Sequence, residues 1–379
     1  MKRVLITGAR APVALDLAHS FAAAGFEPHL ADCLTPCAAR LSMFGRTSLH
    51  SYAAPRHNFP KFVADLQRLT MRLQPALIIP VCEEVFALAA AAPHLSDCLV
   101  FAPDLDTLRR LHSKHDFLEF AAACGFTVPV TRRLTSVATL QTLEAESRRL
   151  VFKPEFSRFA ARALLRPAAA DLARIVPTPE APWVAQEFVA GDELCAWSAA
   201  IDGRLVAYAA YQPRWRQGQA SSYYFAPVRE PALQSFCAAV AKAGKVTGQL
   251  AFDVIRTGEG QIVPLECNPR GTSGIHLFRR APALARALMG EHPLTVPGDV
   301  PVCLGPAMAL LGLPVALRAG QGPAFFSGWR RADDGFFSTA ERTGALIDAA
   351  RFAAAGLRHG RSAAAQSTAD IEWNGETLG

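Results

Sequence analysis

Between Ala251 and Arg270 the chain gathers Asp253, Glu266, Asn268 and Arg270 into one short stretch, Ala251-Phe-Asp-Val-Ile-Arg-Thr-Gly-Glu-Gly-Gln-Ile-Val-Pro-Leu-Glu-Cys-Asn-Pro-Arg270. Two β-prone runs, Ala251 to Arg256 and Gln261 to Cys267, flank the turn at 257–260 and predict a hairpin. With Glu259-Gly260 as a two-residue turn, Asp253 falls directly opposite Glu266, their Cβ atoms about 5 Å apart. Strand alternation puts Asn268 on the same face, while Phe252, Val254, Leu265 and Cys267 point into a core. Two facing carboxylates repel unless a cation lies between them, and Asp, Glu and Asn offer only oxygen donors, a set that suits Mg²⁺. A solvated hairpin with scattered acids is the bland alternative, and Pro269-Arg270-Gly271, which adds a fixed cation at once, argues against it.

Upstream lie further polar residues that could handle a phosphate or a nucleotide. Lys153 closes the run Leu150-Val-Phe-Lys-Pro154, where the proline stiffens the strand end and aims one ammonium. Gln186-Glu-Phe-Val-Ala-Gly-Asp-Glu193 reads as a strand, a turn and a second strand. Its backbone near Phe188 and Val189 could take a base edge, and a carboxylate there could take ribose hydroxyls. Taken singly, each of these is more often an ordinary exposed lysine or hairpin.

The elements that must position these groups follow from pattern. At 379 residues the chain is too long for one core. No apolar run approaches the ~20 residues of a membrane span, so no membrane association is expected. The net charge of +6 comes from dispersed arginines without an aromatic-interleaved basic block, so no nucleic-acid partner is expected. Nine scattered cysteines point to reduced thiols in the cytoplasm, and Cys33 and Cys37, the one close pair, lack partners for a zinc set.

Residues 1–105 read as an α/β unit with a parallel, doubly wound sheet: strands at 4–7, 28–32, 77–79 and 100–101, with a helix from Val13 to Ala24. The turn Gly8-Ala-Arg-Ala-Pro12 lacks the later glycines of a dinucleotide fingerprint, so NAD binding is disfavoured. Glu83-Glu84 is either functional or simply a strand end meeting a helix start. Helical spacing runs from Thr107 to Ala123 and from Ser136 to Arg149. Strands follow at 183–189, 193–201 and 204–211, then a helix at 236–244. Beyond Gly290 only the helix at 340–357 is legible.

In this order the motifs resemble the ATP-grasp superfamily of carboxylate–amine ligases, over roughly residues 1–290. The resemblance is strongest at Asp253 and at Glu266-Cys-Asn268-Pro-Arg270. It implies an α/β domain at 1–105, two α+β subdomains at 106–180 and 181–290 that hold ATP between them, and a C-terminal extension at 291–379. Carried onto this chain, it makes Lys114 and Lys153 the phosphate-contacting lysines, Glu187, Phe188 and Val189 the adenine hinge, and Glu193 the ribose acid. Asp253, Glu266 and Asn268 become ligands for Mg²⁺, with Mn²⁺ as a substitute, and Arg270, with Lys153, stabilises the reacting group. His276 is either an acceptor contact or a structural histidine.

One departure stands out. The family's phosphate-covering loop is rich in glycine, whereas Pro154-Glu-Phe-Ser-Arg158-Phe-Ala-Ala-Arg162 has none, so Arg158 and Arg162 would have to hold phosphate by side chains. The resemblance implies activation of a small-molecule carboxylate as an acyl-phosphate and its capture by an amine entering over Tyr211 to Tyr224. A nucleotide-binding regulatory protein and a bicarbonate-activating enzyme are the alternatives. Homodimers are common among such relatives.

Overall fold

The computed structural model describes residues 1–95, 98–157, 163–216 and 222–378. Arg158 and Arg162, and with them most of the glycine-free loop, lie outside the described residues, as does 217–221 of the stretch expected to admit the acceptor.

Three sheets carry the molecule. The first is parallel, in the order β3-β2-β1-β4, from Arg3–Thr7 (β1), Glu27–Asp32 (β2), Leu49–Ser51 (β3) and Leu77–Pro80 (β4). Its two central strands are buried along almost their whole length because helices cover both faces, β1 with an apolar run and β2 with His29 and Asp32 buried among apolar residues. The strand expected at Val100-Phe101 forms only a single bridge, Ile78 to Val100, whereas the short β3 takes the far edge. Gly8 ends β1 at φ +71°, and a Cβ there would lie 2.7 Å from Glu84 Oε1, so the turn is closed by a buried carboxylate. Glu84 accepts from Thr7 Oγ1 at 2.8 Å and from the N–H of Val81 at 3.2 Å, which makes it a structural residue of this turn.

The second sheet, in the order β5-β8-β6-β7, is antiparallel: Thr131–Leu134 (β5), Leu150–Pro154 (β6), Leu164–Leu165 (β7) and Trp183–Glu187 (β8). The third has seven strands in the order β13-β12-β9-β10-β11-β14-β15. They are Asp192–Ile201 (β9), Arg204–Arg216 (β10), Ser222–Pro227 (β11), Gly248–Arg256 (β12), Ile262–Asn268 (β13), Val302–Cys303 (β14) and Asp333–Asp334 (β15). The changeover between these two sheets falls after Glu187. The short C-terminal strands β14 and β15 extend the third sheet, so the region past Gly290 is built into it. No helix among the described residues is long and apolar enough to cross a membrane.

Two expected elements differ. The helical run from Thr107 to Ala123 is two helices, Leu105–His112 and Asp116–Ala123, broken at Ser113-Lys114-His115. The stretch from Ser136 to Arg149 keeps a short helix, Val137–Gln141, and a 3₁₀ turn, Glu144–Arg149.

Candidate active site

The hairpin β12–β13 pairs Asp253 with Glu266, Phe252 with Cys267 and Ala251 with Asn268, as expected. The route to that register is different. The turn is a three-residue loop closed by Thr257 N–H on the Gln261 carbonyl, with Gly260 at φ +80°. Between Asp253 and Val254 the register then shifts, so that Val254 faces Pro264. Leu265 is the extra residue of a β-bulge, and Pro264, which has no N–H to give a ladder, sits beside it. The two irregularities cancel and leave the carboxylates opposite each other. The bulge changes the fate of Leu265: it lies on the wall of the cleft and not in the core, while Phe252, Val254 and Cys267 are buried as expected.

The bulged backbone has a use. The Leu265 carbonyl accepts from Lys153 Nζ and from Gln186 Nε2, each at 3.4 Å. Lys153 and Lys114 lie 3.6 and 3.8 Å from Glu266 Oε2. Lys114 occupies the break between the two helices, and its Nζ donates to the carbonyls of Glu155 and Ser157. Glu155, given no role by its sequence context, is buried, with Arg133 Nε 2.8 Å from its carboxylate. Ser113 also donates to that carboxylate, and so Glu155 fixes the break that aims Lys114.

Burial draws Lys153 below the usual lysine range, against the opposing pull of Glu266. Burial would raise Glu266, but Lys114 and Lys153 carry its carboxyl below the usual range. Burial, together with the facing Glu266, raises Asp253. Glu266 therefore holds the charge of the pair, and Asp253 keeps a proton more readily. A half-buried pair of carboxylates that cannot both ionise comfortably, with the Asn268 amide oxygen one pleat along, is a donor set that fits a hard divalent cation.

Asp253, Glu266, Asn268, Arg270, Lys114, Lys153, Glu187, Phe188, Val189 and Glu193 all line one cleft of about 610 Å³ between the sheets. Glu187 and Phe188 spend their N–H groups on the carbonyls of Val130 and Arg149 at 2.9 Å, so the free edge of the hinge begins at Val189. Glu193 is gripped by Arg216, with Nη1–Oε1 3.0 Å and Nη2–Oε2 2.8 Å, a fork absent from the expected set.

Arg270 is held from the parallel-sheet unit. Its Nε lies 2.9 Å from Glu83 Oε1, and its Nη2 is 3.2 Å from Asn268 Oδ1. The choice left open at Glu83-Glu84 thus divides: Glu84 braces a turn, and Glu83 reaches the cleft. His276 is a structural residue, buried, paired with Asp16 and stacked on Phe225.

His112, at the end of the first of the split helices, was not expected to matter. It is buried among Phe86, Phe156 and Trp373, and among the described residues neither ring nitrogen has a hydrogen-bond partner. Burial pushes its pKa down to about 4. Its folded pKa lies below the unfolded value of about 6.5, so the unfolded chain binds the extra proton and stability falls as pH drops between them. A His112→Phe variant should lose that component, worth roughly 3 kcal/mol at pH 4 relative to pH 7. Urea unfolding at several pH values checks this; identical pH profiles for variant and wild type would count against it.

No protein-family model matches the chain, and no curated protein matches it. Solved structures do. An N5-carboxyaminoimidazole synthase from Aspergillus clavatus, in complex with ADP and 5-aminoimidazole ribonucleotide, is similar over 79% of this chain and 78% of its own, at TM-score 0.61 and 14% identity. A phosphoribosylamine–glycine ligase from Thermotoga maritima matches 78% of each chain at TM-score 0.58 and 15% identity. An L-amino acid ligase from Bacillus licheniformis matches 77% of this chain and 76% of its own at TM-score 0.53 and 14% identity. At such identities the likeness establishes a fold: the chain shares the fold of the ATP-grasp ligases, as its motifs implied.

Proposed function

We propose that the protein is an ATP- and Mg²⁺-dependent ligase that activates a small-molecule carboxylate and joins it to an amine, releasing ADP and phosphate. The single observation that carries this reading is the convergence of Lys114 and Lys153 on Glu266, opposite Asp253, in one cleft with the hinge Glu187–Val189. Those residues come from four separate segments of the chain, and a solvated hairpin would have no reason to draw two buried lysines onto its carboxylate. The structural neighbours crystallised with ADP and with ATP support the same reading.

In this proposal Asp253, Glu266 and Asn268 hold the divalent cation, which supplies charge compensation on the phosphate oxygens. Lys114 and Lys153 bind those oxygens, and Val189 presents the hinge edge to adenine. Glu193, oriented by Arg216, takes the ribose hydroxyls. Arg270 offsets the charge that spreads over the transferring group and the attacking carboxylate. No enzyme nucleophile is needed, since the amine attacks the activated carboxylate and phosphate leaves. The unit boundaries near 105 and 290 and a cytoplasmic location belong to the same proposal.

The test is ADP release across a panel of carboxylates and amines, with mass spectrometry of any product. A product whose mass is the sum of acid and amine less water is expected. ADP formed with bicarbonate alone would instead favour carboxylase-type chemistry. Within the proposal, Glu193→Ala should raise the KM for ATP about tenfold with little change in kcat, because a ribose contact is made equally in ground and transition states. A fall in kcat at unchanged KM would move Glu193 out of the nucleotide site.

A further inference from the structure

We propose that the substrate end of the cleft, beyond Arg270, accepts an amino acid or amine with an apolar body and no phosphate group, and that the C-terminal segment sets this preference. The inference rests on the ligase reading and names the substrate class of that same site.

The part of the cleft lining that comes from outside the hinge and the β12–β13 hairpin is largely apolar, with the hydroxyls of Ser273, Ser367 and Thr368 among it. Val13 and Val81 come from the parallel-sheet unit, Tyr211 and Phe225 from the large sheet, and Leu304 and Phe352 from the C-terminal segment. A phosphomonoester carries about −1.5 to −2 charge and three strong acceptor oxygens, and its recognition requires donors that are not already used. Among the described residues at this end, each cation faces a carboxylate.

Arg10 is the natural anchor by position, at the turn between β1 and the helix Pro12–Ala23. Its guanidinium is already saturated, however. Nε lies 3.1 Å from Asp32 Oδ1, Nη1 lies 2.6 Å from Asp370 Oδ1 and 2.8 Å from the Ser367 carbonyl, and Nη2 lies 2.5 Å from Asp32 Oδ1. Arg270 is bound to Glu83 and Asn268, and its remaining N–H groups are assigned to the reacting carboxylate and the transferring phosphoryl group; His276 is paired with Asp16. At the adjacent helix N-terminus Pro12 has no N–H, the Ala11 N–H donates to the Gly8 carbonyl and the Ala14 N–H to the Ala11 carbonyl.

The C-terminal contribution is held firmly. Asp348 on the helix Thr339–His359 accepts from the N–H groups of Cys37 and Ala38 at 2.8 and 3.0 Å. Phe352 lies one turn further on, on the same helix face, and lines the cleft. The same segment supplies Asp370, the second carboxylate on Arg10 beside Asp32, so one stretch of chain helps to neutralise Arg10 and adds Leu304 and Phe352 to the lining.

The experiment is isothermal titration of the full chain, with and without MgADP, using L-leucine and L-phenylalanine against O-phospho-L-serine. The apolar amino acids are expected to bind at least about tenfold more tightly than the phosphorylated one. Phe352→Ala should weaken L-leucine about tenfold and leave the MgADP affinity unchanged, because the C-terminal segment supplies none of the residues assigned to the nucleotide. Preference for O-phospho-L-serine, binding of none of the apolar probes, or unchanged L-leucine affinity in Phe352→Ala overturns the proposal. Titration needs no turnover, so failure to release ADP with any substrate would strike the ligase reading and leave this result to stand separately.

Discussion

Glu266→Gln is expected to lower substrate-dependent ADP formation by on the order of 10³-fold while the chain still folds. The carboxylate has two duties in the cleft. It is the ionised partner of the Asp253–Glu266 pair, and it is the counter-charge 3.6 to 3.8 Å from two lysine ammoniums that are themselves buried. The amide keeps the shape and one oxygen donor but removes the charge that would hold a divalent cation.

Stability should fall less than activity. Removing one partner of a buried ion pair typically costs about 3–5 kcal/mol. Here Glu266 is about a quarter exposed, which screens the loss. Asp253 also loses the neighbour that raises its pKa, so it ionises more readily and takes over part of the neutralisation. A near-native circular dichroism spectrum, a Tm lower by several degrees and ADP release at background are the expected set. Full activity in the variant would sink the metal assignment.

The facing carboxylates of the hairpin were legible because strand alternation is a strict rule: carboxylates on one face of a hairpin either meet water or meet a cation. The register survived two errors of geometry that offset each other, the three-residue turn and the bulge at Leu265. Pro264 carried the missing signal, since a proline inside a paired strand belongs at a bulge or an edge. The split of the helix at Lys114 left no such mark. It is imposed by Glu155 and Arg133, distant in sequence, and helical spacing is blind to a break held by tertiary contacts. Arg216 was hidden for the same reason, and the role of Glu83 was left open by it: each acts by gripping a residue distant in the chain. The C-terminal strands β14 and β15 are two residues each, too short for any periodicity, although they bring Leu304 to the cleft.

Arg270→Lys is expected to lower kcat by about 10²- to 10³-fold with the affinity for MgATP within about twofold of wild type. Arg270 projects three nitrogens from one plane. Nε is committed to Glu83, Nη2 to Asn268 and Nη1, at 3.4 Å, to the Gly271 carbonyl, and the side chain lines the cleft with two further N–H groups to offer. A lysine keeps the charge but has one nitrogen, so it can satisfy Glu83 or reach the reacting group, not both. The loss should therefore appear in the transition state and leave nucleotide binding almost untouched. Glu83, by contrast, touches no substrate in this arrangement and acts by positioning Arg270. Glu83→Gln, which retains a hydrogen-bond acceptor without the charge, should cost about tenfold in kcat and leave the KM for ATP unchanged. Single-turnover ADP formation, nucleotide titration and thermal melts on both variants separate the possibilities. If Arg270→Lys melts lower but turns over at the wild-type rate, Arg270 is a strut between the parallel sheet and the hairpin, and the charge on the transferring group is offset by the lysines alone.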